Sequence, residues 1–143
     1  MKSVAPMVRR AAVGDADALF VLVERFARSF RPGRDVFQEV LERLLQDDCA
    51  WLSVAECSGC VVGYCLGFDH DAFYANGRVS AVEEIAVTPD QRRKGVGRAL
   101  MTAFEEWARS RGSKLVGLAT RRAAPFYAAL GYEESAVYFR KVL

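Results

Sequence analysis

Apolar and polar positions along this chain switch between two periods, and the switches mark the elements. Leu19, Leu22, Val23 and Phe26 recur at helical spacing and predict a first amphipathic helix. Phe37, Val40, Leu41 and Leu44 repeat the pattern for a second. Arg31-Pro32-Gly33 breaks the chain between them. Gly14-Asp15-Ala16-Asp17 reads as a turn in which either aspartate can cap the first helix. Asp35 is the expected cap of the second, with Gln38 in the capping-box position.

The extended segments follow another rhythm. Met7 to Ala12 reads as a first strand. Trp51 to Cys57 and Cys60 to Phe68 predict a hairpin turned at Ser58-Gly59. Val62, Tyr64, Leu66 and Phe68 share one face of its second strand. Gly63 and Gly67 fall on the other, where something can pack closely. Asp69 to Arg78 reads as a polar loop carrying His70, Phe73 and Tyr74. Val82 to Val87 is a short, partly β-branched strand closed by Thr88-Pro89.

A long third helix follows, with Leu100, Phe104, Trp107 and Ala108 on one stripe and Ala103 beside them. Glu105 and Arg109 are spaced to pair on its wet face, and Gly112 ends it. Leu115 to Ala119 reads as a fifth strand. Pro125 opens a short helix that Gly131 closes. Val137 to Val142 reads as a sixth strand.

The order β-α-α-β-β-β-α-β-α-β predicts a mixed α/β domain over residues 1–143, with no repeat or linker dividing it. The chain has 143 residues, 52% hydrophobic and 27% charged, which suits one domain with a full core. A formal net charge of +2 is too small to argue for a nucleic-acid partner. Met1 to Ala12 lacks a signal-peptide core. The near-apolar run from Cys57 to Phe68 is too short to span a bilayer. The expectation is a cytoplasmic protein with no membrane partner. Cys57-Ser58-Gly59-Cys60 has metal or redox spacing, but no second tight pair follows and His70 is the one histidine. Cys49, Cys57, Cys60 and Cys65 are therefore expected to be reduced structural thiols, with no metal.

Candidate chemistry concentrates in one loop. Arg92-Arg93-Lys94-Gly95-Val96-Gly97-Arg98-Ala99 joins an apolar strand to the third helix. The first amides of a helix have no internal partner and carry the positive end of its dipole. Glycines let an anion approach them, and four cations surround the spot. The implied ligand is a phosphate, most naturally a diphosphate. A P-loop would need G-x-x-x-x-G-K-[ST], which is missing. A dinucleotide fingerprint would need a third glycine where Leu100 stands.

The pattern Arg92-x-x-Gly95-x-Gly97 after an apolar strand resembles the GNAT superfamily of acyl-CoA-dependent N-acetyltransferases. Pro125-Phe126-Tyr127-x-x-Leu130-Gly131-Tyr132 looks like the same family's late segment, F-Y-x-x-x-G-[FY]. The two matches are correctly ordered and lie a helix and a strand apart. The resemblance implies a mixed, mostly antiparallel sheet of six or seven strands, splayed between the fourth and fifth and flanked by about four helices. It implies acetyl-CoA in that gap as cosubstrate. Ile85, Ala86 and Val87 would offer backbone hydrogen bonds to the pantetheine arm. Arg92, Arg93, Lys94, Gly95, Val96 and Gly97 would wrap the diphosphate, and Arg98 and Ala99 would open the helix beneath it. Arg121 and Arg122 stand where the family often has an asparagine. Arg122 could meet a phosphate, and Phe126 would lie beside the cofactor.

The chemistry then assigns roles. An alkyl ammonium with pKa about 10.4 must lose a proton to attack, which costs roughly 4–5 kcal/mol at pH 7. A carboxylate can take that proton. Glu83 and Glu84 border the acyl site, and alternation turns them to opposite faces. Family likeness ranks Glu83 first, with His70 a weaker rival. The Val87 amide would meet the thioester oxygen as charge develops on it. Tyr127 matches the family position that protonates the leaving thiolate. The expected activity is acetyl transfer to a primary amine by direct attack in a ternary complex. The acceptor is a small-molecule amine or a protein amine, and a homodimer is compatible with the family. A non-catalytic acyl-CoA sensor is the rival reading.

Overall fold

The computed structural model describes residues 5–143. The first four residues, part of the Met1 to Ala12 stretch considered above, lie outside it. Five strands form one sheet in the order β1-β2-β3-β4-β5. They are β1 (Met7–Arg10), β2 (Ala50–Cys57), β3 (Cys60–Ala72), β4 (Gly77–Val87) and β5 (Val116–Leu118). The helices are α1 (Ala16–Phe26), α2 (Arg34–Gln46), α3 (Val96–Ser110) and α4 (Ala124–Ala129). Neighbouring strands are antiparallel except β4 and β5, which run parallel.

The sheet has a core on each face. Leu19, Leu22 and Leu41 of α1 and α2 pack on Leu52, Val54, Tyr64 and Leu66. Val96, Leu100, Met101 and Phe104 of α3 pack on Ala55, Cys65 and Val82. The two glycines of β3 make the second core possible. A Cβ at Gly67 would sit 2.3 Å from the Phe104 ring and 2.7 Å from Ala81 O. One at Gly63 would meet Leu100 and Val96 at 3.3 Å. The close packing expected at these positions is that of α3 itself.

Turn chemistry agrees with the sequence in several places. Ser58 (φ 52°) and Gly59 (φ 80°) turn the β2–β3 hairpin. Gly112 ends α3 in the left-handed region, with Gly112 N–H on Arg109 O and Ser113 N–H on Ala108 O. Gly131 repeats that pairing after α4.

Several expectations are corrected. The sheet has five strands, not six or seven. Residues 133–143 form no strand, and Val137, Tyr138 and Phe139 remain 70–88% exposed. Despite their β propensity they pair with no strand among the described residues. Asp69 to Arg78 is mostly hairpin, with only residues 73–76 outside the strands. Asp69 side chain is fully buried and holds two arginines: Arg78 Nε donates to Oδ2 at 2.8 Å and Arg111 Nε at 2.6 Å. The α2 cap is Gly33 rather than Asp35, and Gln38 reaches Glu42 instead of closing a capping box.

Neither aspartate caps α1 through its side chain. Asp15 turns back to the Ala12 amide (2.8 Å) and Arg9 (2.7 Å), while Asp17 pairs with Arg34 (2.6 Å). Glu105 takes the Tyr132 hydroxyl at 2.6 Å and makes no ion pair with Arg109. A tertiary partner of fixed geometry displaces a solvent-exposed pair of small worth.

Candidate active site

β4 and β5 pair only over Ser80–Val82 and Val116–Leu118. Beyond Val82 the two strands part, and the outer edge of β4 has no strand beside it among the described residues. The parting coincides with a bulge. Leu66 pairs with Glu84 and Gly67 with Val82, so Glu83 is an extra residue on β4. In an unbroken ladder Val82 and Glu84, two residues apart, would share a face. With the bulge, Val82 packs under α3 while Glu84 turns toward α1 and α2.

The bulge separates the two glutamates chemically. Glu83 is exposed. Glu84 is half-buried, and its Oε1 accepts the Tyr64 hydroxyl at 2.8 Å. Burial raises the Glu84 carboxyl above its ordinary value, the Tyr64 bond opposes that rise, and neighbouring Glu83 adds to it. Tyr64 was not legible as a site residue. Its one signal is a hydroxyl on an apolar strand face, where a buried tyrosine usually finds a partner.

Backbone direction follows from one bond. Thr88 N–H donates to Val62 O at 2.8 Å, toward β3. Alternation turns the groups of Val87 and Ile85 the other way, into the parting, and those of Ala86 toward β3. Val87 O accepts Arg92 Nε at 3.4 Å, consistent with that direction.

The loop from Arg92 to Gly95 delivers the chain to α3. Arg93 (φ 63°) and Gly95 (φ 86°) are both left-handed. The α3 N-terminal turn is bonded from Ala99 N–H to Gly95 O at 3.0 Å. The amides of Val96, Gly97 and Arg98 precede that bond, the usual orphans of a helix start. Nothing stands within 4 Å of the space a Cβ at Gly95 would fill. At Gly97 the bare face is taken by the Phe126 ring, 3.2 Å from such a Cβ. The glycine thus seats α4 against α3 rather than leaving a gap. Arg93, Lys94, Arg98, Arg121 and Arg122 are exposed and form no ion pair among the described residues.

Tyr127 is buried beneath that junction, edge-on to Phe126 and Tyr132. Its hydroxyl makes no hydrogen bond among the described residues. Burial raises its pKa, and nearby Cys65 adds to the rise. Such a phenol stays protonated at neutral pH and can donate. Tyr127 shares the α3-side core with Val82, whereas Glu84 faces the other side, just past the point where the sheet opens. His70 lies on β3, exposed, with Nδ1 3.0 Å from Asp71 O. Phe73 and Tyr74 cap the hairpin tip at the far end of β4 from Val87. The four cysteines are free thiols, with Cys57 opposite Cys60 across the hairpin. No helix among the described residues is long and apolar enough to cross a membrane.

The mixed sheet with α3 at its opening is a fold shared with solved acetyltransferases. The acetyltransferase (GNAT) family matches residues 17–132, and the chain belongs to that family. It is 31% identical over 150 residues to an aminoglycoside N(6')-acetyltransferase type 1 from Stenotrophomonas maltophilia, covering 97% of this chain and 95% of that one. It is 26% identical over 133 residues to the uncharacterized N-acetyltransferase YhfO of Bacillus subtilis, covering 89% of each. A solved Trypanosoma brucei acetyltransferase shares the fold, with TM-score 0.83 at 22% identity, over 97% of this chain and 100% of that one.

Proposed function

We propose that this chain transfers an acetyl group from acetyl-CoA to a primary amine by direct attack in a ternary complex. The observation that carries the reading is the parting of β4 from β5 beside the α3 N-terminus. It sets unpaired strand backbone next to unpaired helix amides. The diphosphate fits the amides of Val96, Gly97 and Arg98, with Arg92, Arg93, Lys94 and Arg98 around it. Arg122 lies on the segment entering α4 and is a further phosphate contact. Ile85 and Val87 offer main-chain groups to the pantetheine amides. Ala86 and Ala99 bound the channel, and Phe126 walls its α4 side.

Glu84, rather than Glu83, is the proposed base. It takes a proton from the ammonium, directly or through water. The freed nitrogen lone pair forms a bond to the thioester carbon, and Val87 N–H stabilises the oxyanion. The intermediate gives its second N–H proton to water and collapses, the C–S bond breaks, and the thiolate takes the Tyr127 proton. Solvent then reprotonates Tyr127. The Stenotrophomonas relative, by its name, acetylates an amine, which supports this acceptor class.

The reading extends to a homodimer. Val137, Tyr138 and Phe139 are exposed on a segment without a strand partner, and β5 leaves the sheet edge open. A second copy would cover both.

The test is thiol release from acetyl-CoA across an amine panel, beside thermal melts with CoA. CoA at 100 times its Kd should add about 2.7 kcal/mol of stability. Stabilisation without turnover on any amine would favour a sensor, and no stabilisation at millimolar CoA would remove the cosubstrate.

A further inference from the structure

We infer that the accepted amine is carried on a compact apolar group, seated in a cavity between the sheet and the helices α1 and α2. The inference rests on the transfer reading and narrows its acceptor. The cavity holds about 220 Å³. Its walls include Val23, Val36, Phe37, Val40 and Leu44. Glu84 is the one charged residue in the lining, and the Tyr64 hydroxyl the one other polar side-chain group.

Two features together specify the ligand. A half-buried carboxylate without a counter-ion is costly, and Glu84 forms no ion pair among the described residues. An ammonium arriving there supplies the missing charge. Behind the carboxylate every wall is apolar, so the group bearing the ammonium must accept an apolar surrounding. A polycationic or polyhydroxylated acceptor would leave its remaining polar groups unpaired in this space. The volume lies below the roughly 300–1,000 Å³ of sites that enclose a whole drug-sized ligand. It suits a short alkyl or arylalkyl chain.

The experiment measures kcat/KM with acetyl-CoA for propylamine, butylamine and pentylamine, beside spermidine and kanamycin. Each added methylene that enters the cavity should raise kcat/KM about fourfold. Val40→Phe narrows the cavity, and Val36→Lys sets a like charge at an exposed lining position. Both should flatten the series and raise KM for pentylamine about tenfold, with KM for acetyl-CoA and the melting temperature unchanged. A flat series, a series untouched by both variants, or faster turnover of spermidine or kanamycin than of pentylamine would overturn the inference and leave transfer intact. No thiol release from any amine, with CoA still raising the melting temperature, would overturn transfer and the inference together.

Discussion

The Tyr64 hydroxyl donates to Glu84 Oε1 at 2.8 Å across the β3–β4 pair. That bond favours the ionised carboxylate, against burial, which favours the neutral acid. The acid limb of kcat/KM should therefore fall above the ordinary glutamate value of about 4.3. Tyr64→Phe should move it further up. Glu84→Gln should lower kcat by about 10²–10⁴. Its stability effect has the opposite sign. Because the folded pKa is raised, the stability that protonated Glu84 contributes is complete below about pH 4.3 and is lost as pH rises through the folded value. The glutamine variant should gain on the parent between pH 4 and pH 8, measured by urea melts at both.

The Tyr127 hydroxyl has no competing hydrogen bond among the described residues. Tyr127→Phe keeps the ring that packs on Phe126 and Tyr132, so CoA affinity and stability should hold. Turnover should fall by about tenfold to a hundredfold, since a thiolate with pKa about 8.5 leaves tolerably without help. Steady-state rates beside CoA titrations decide this, and unchanged turnover would take Tyr127 out of the chemistry.

Gly67 lies under Phe104. Gly67→Ala puts a methyl 2.3 Å from that ring, and overpacking of this kind costs about 1–3 kcal/mol or more. Phe104→Leu in the same chain should restore part of the loss, not all. Ala81 O at 2.7 Å cannot be trimmed away. Denaturant midpoints of the single and double variants test the pair.

Asp69 links β3, β4 and the end of α3. Burial would raise its pKa, but the Arg78 and Arg111 hydrogen bonds outweigh that and hold it well below the carboxylate range. The stability it contributes is present above about pH 3.9 and is lost as pH falls through the depressed value. Asp69→Asn should cost about 3 kcal/mol at pH 7, since breaking a buried pair leaves its partners uncompensated. The cost should shrink in acid. Melting curves at pH 7 and pH 3 check both statements.

Phe139 is 88% exposed on the C-terminal segment. If a second copy covers it, Phe139→Asp should shift the chain from dimer to monomer in light scattering without lowering its helix content. A monomeric parent at tens of micromolar would set the homodimer aside.

Local chemistry was legible wherever it depends on near neighbours. The helical stripe on Leu100 and Phe104, the turn at Ser58-Gly59 and the stops at Gly112 and Gly131 follow from side-chain period and allowed φ. Gly63 and Gly67 announced a close approach for the same reason, because a missing Cβ is itself a local fact. The loop from Arg92 to Gly97 was readable as a cationic, glycine-bearing turn into a helix, since helix-start amides need no distant partner to be unpaired.

Register was not legible, and register decided the rest. The extra residue at Glu83 appears only when β4 is laid against β3, and it decides that Glu84 rather than Glu83 faces the α1–α2 cavity. Asp69 looked like loop because its partners meet it only in the fold, Arg78 across the β3–β4 hairpin and Arg111 from the end of α3. Residues 137–142 have the composition of a strand but pair with no strand among the described residues. A strand is completed by its neighbour, so its fate rests on contacts that no run of adjacent residues can specify.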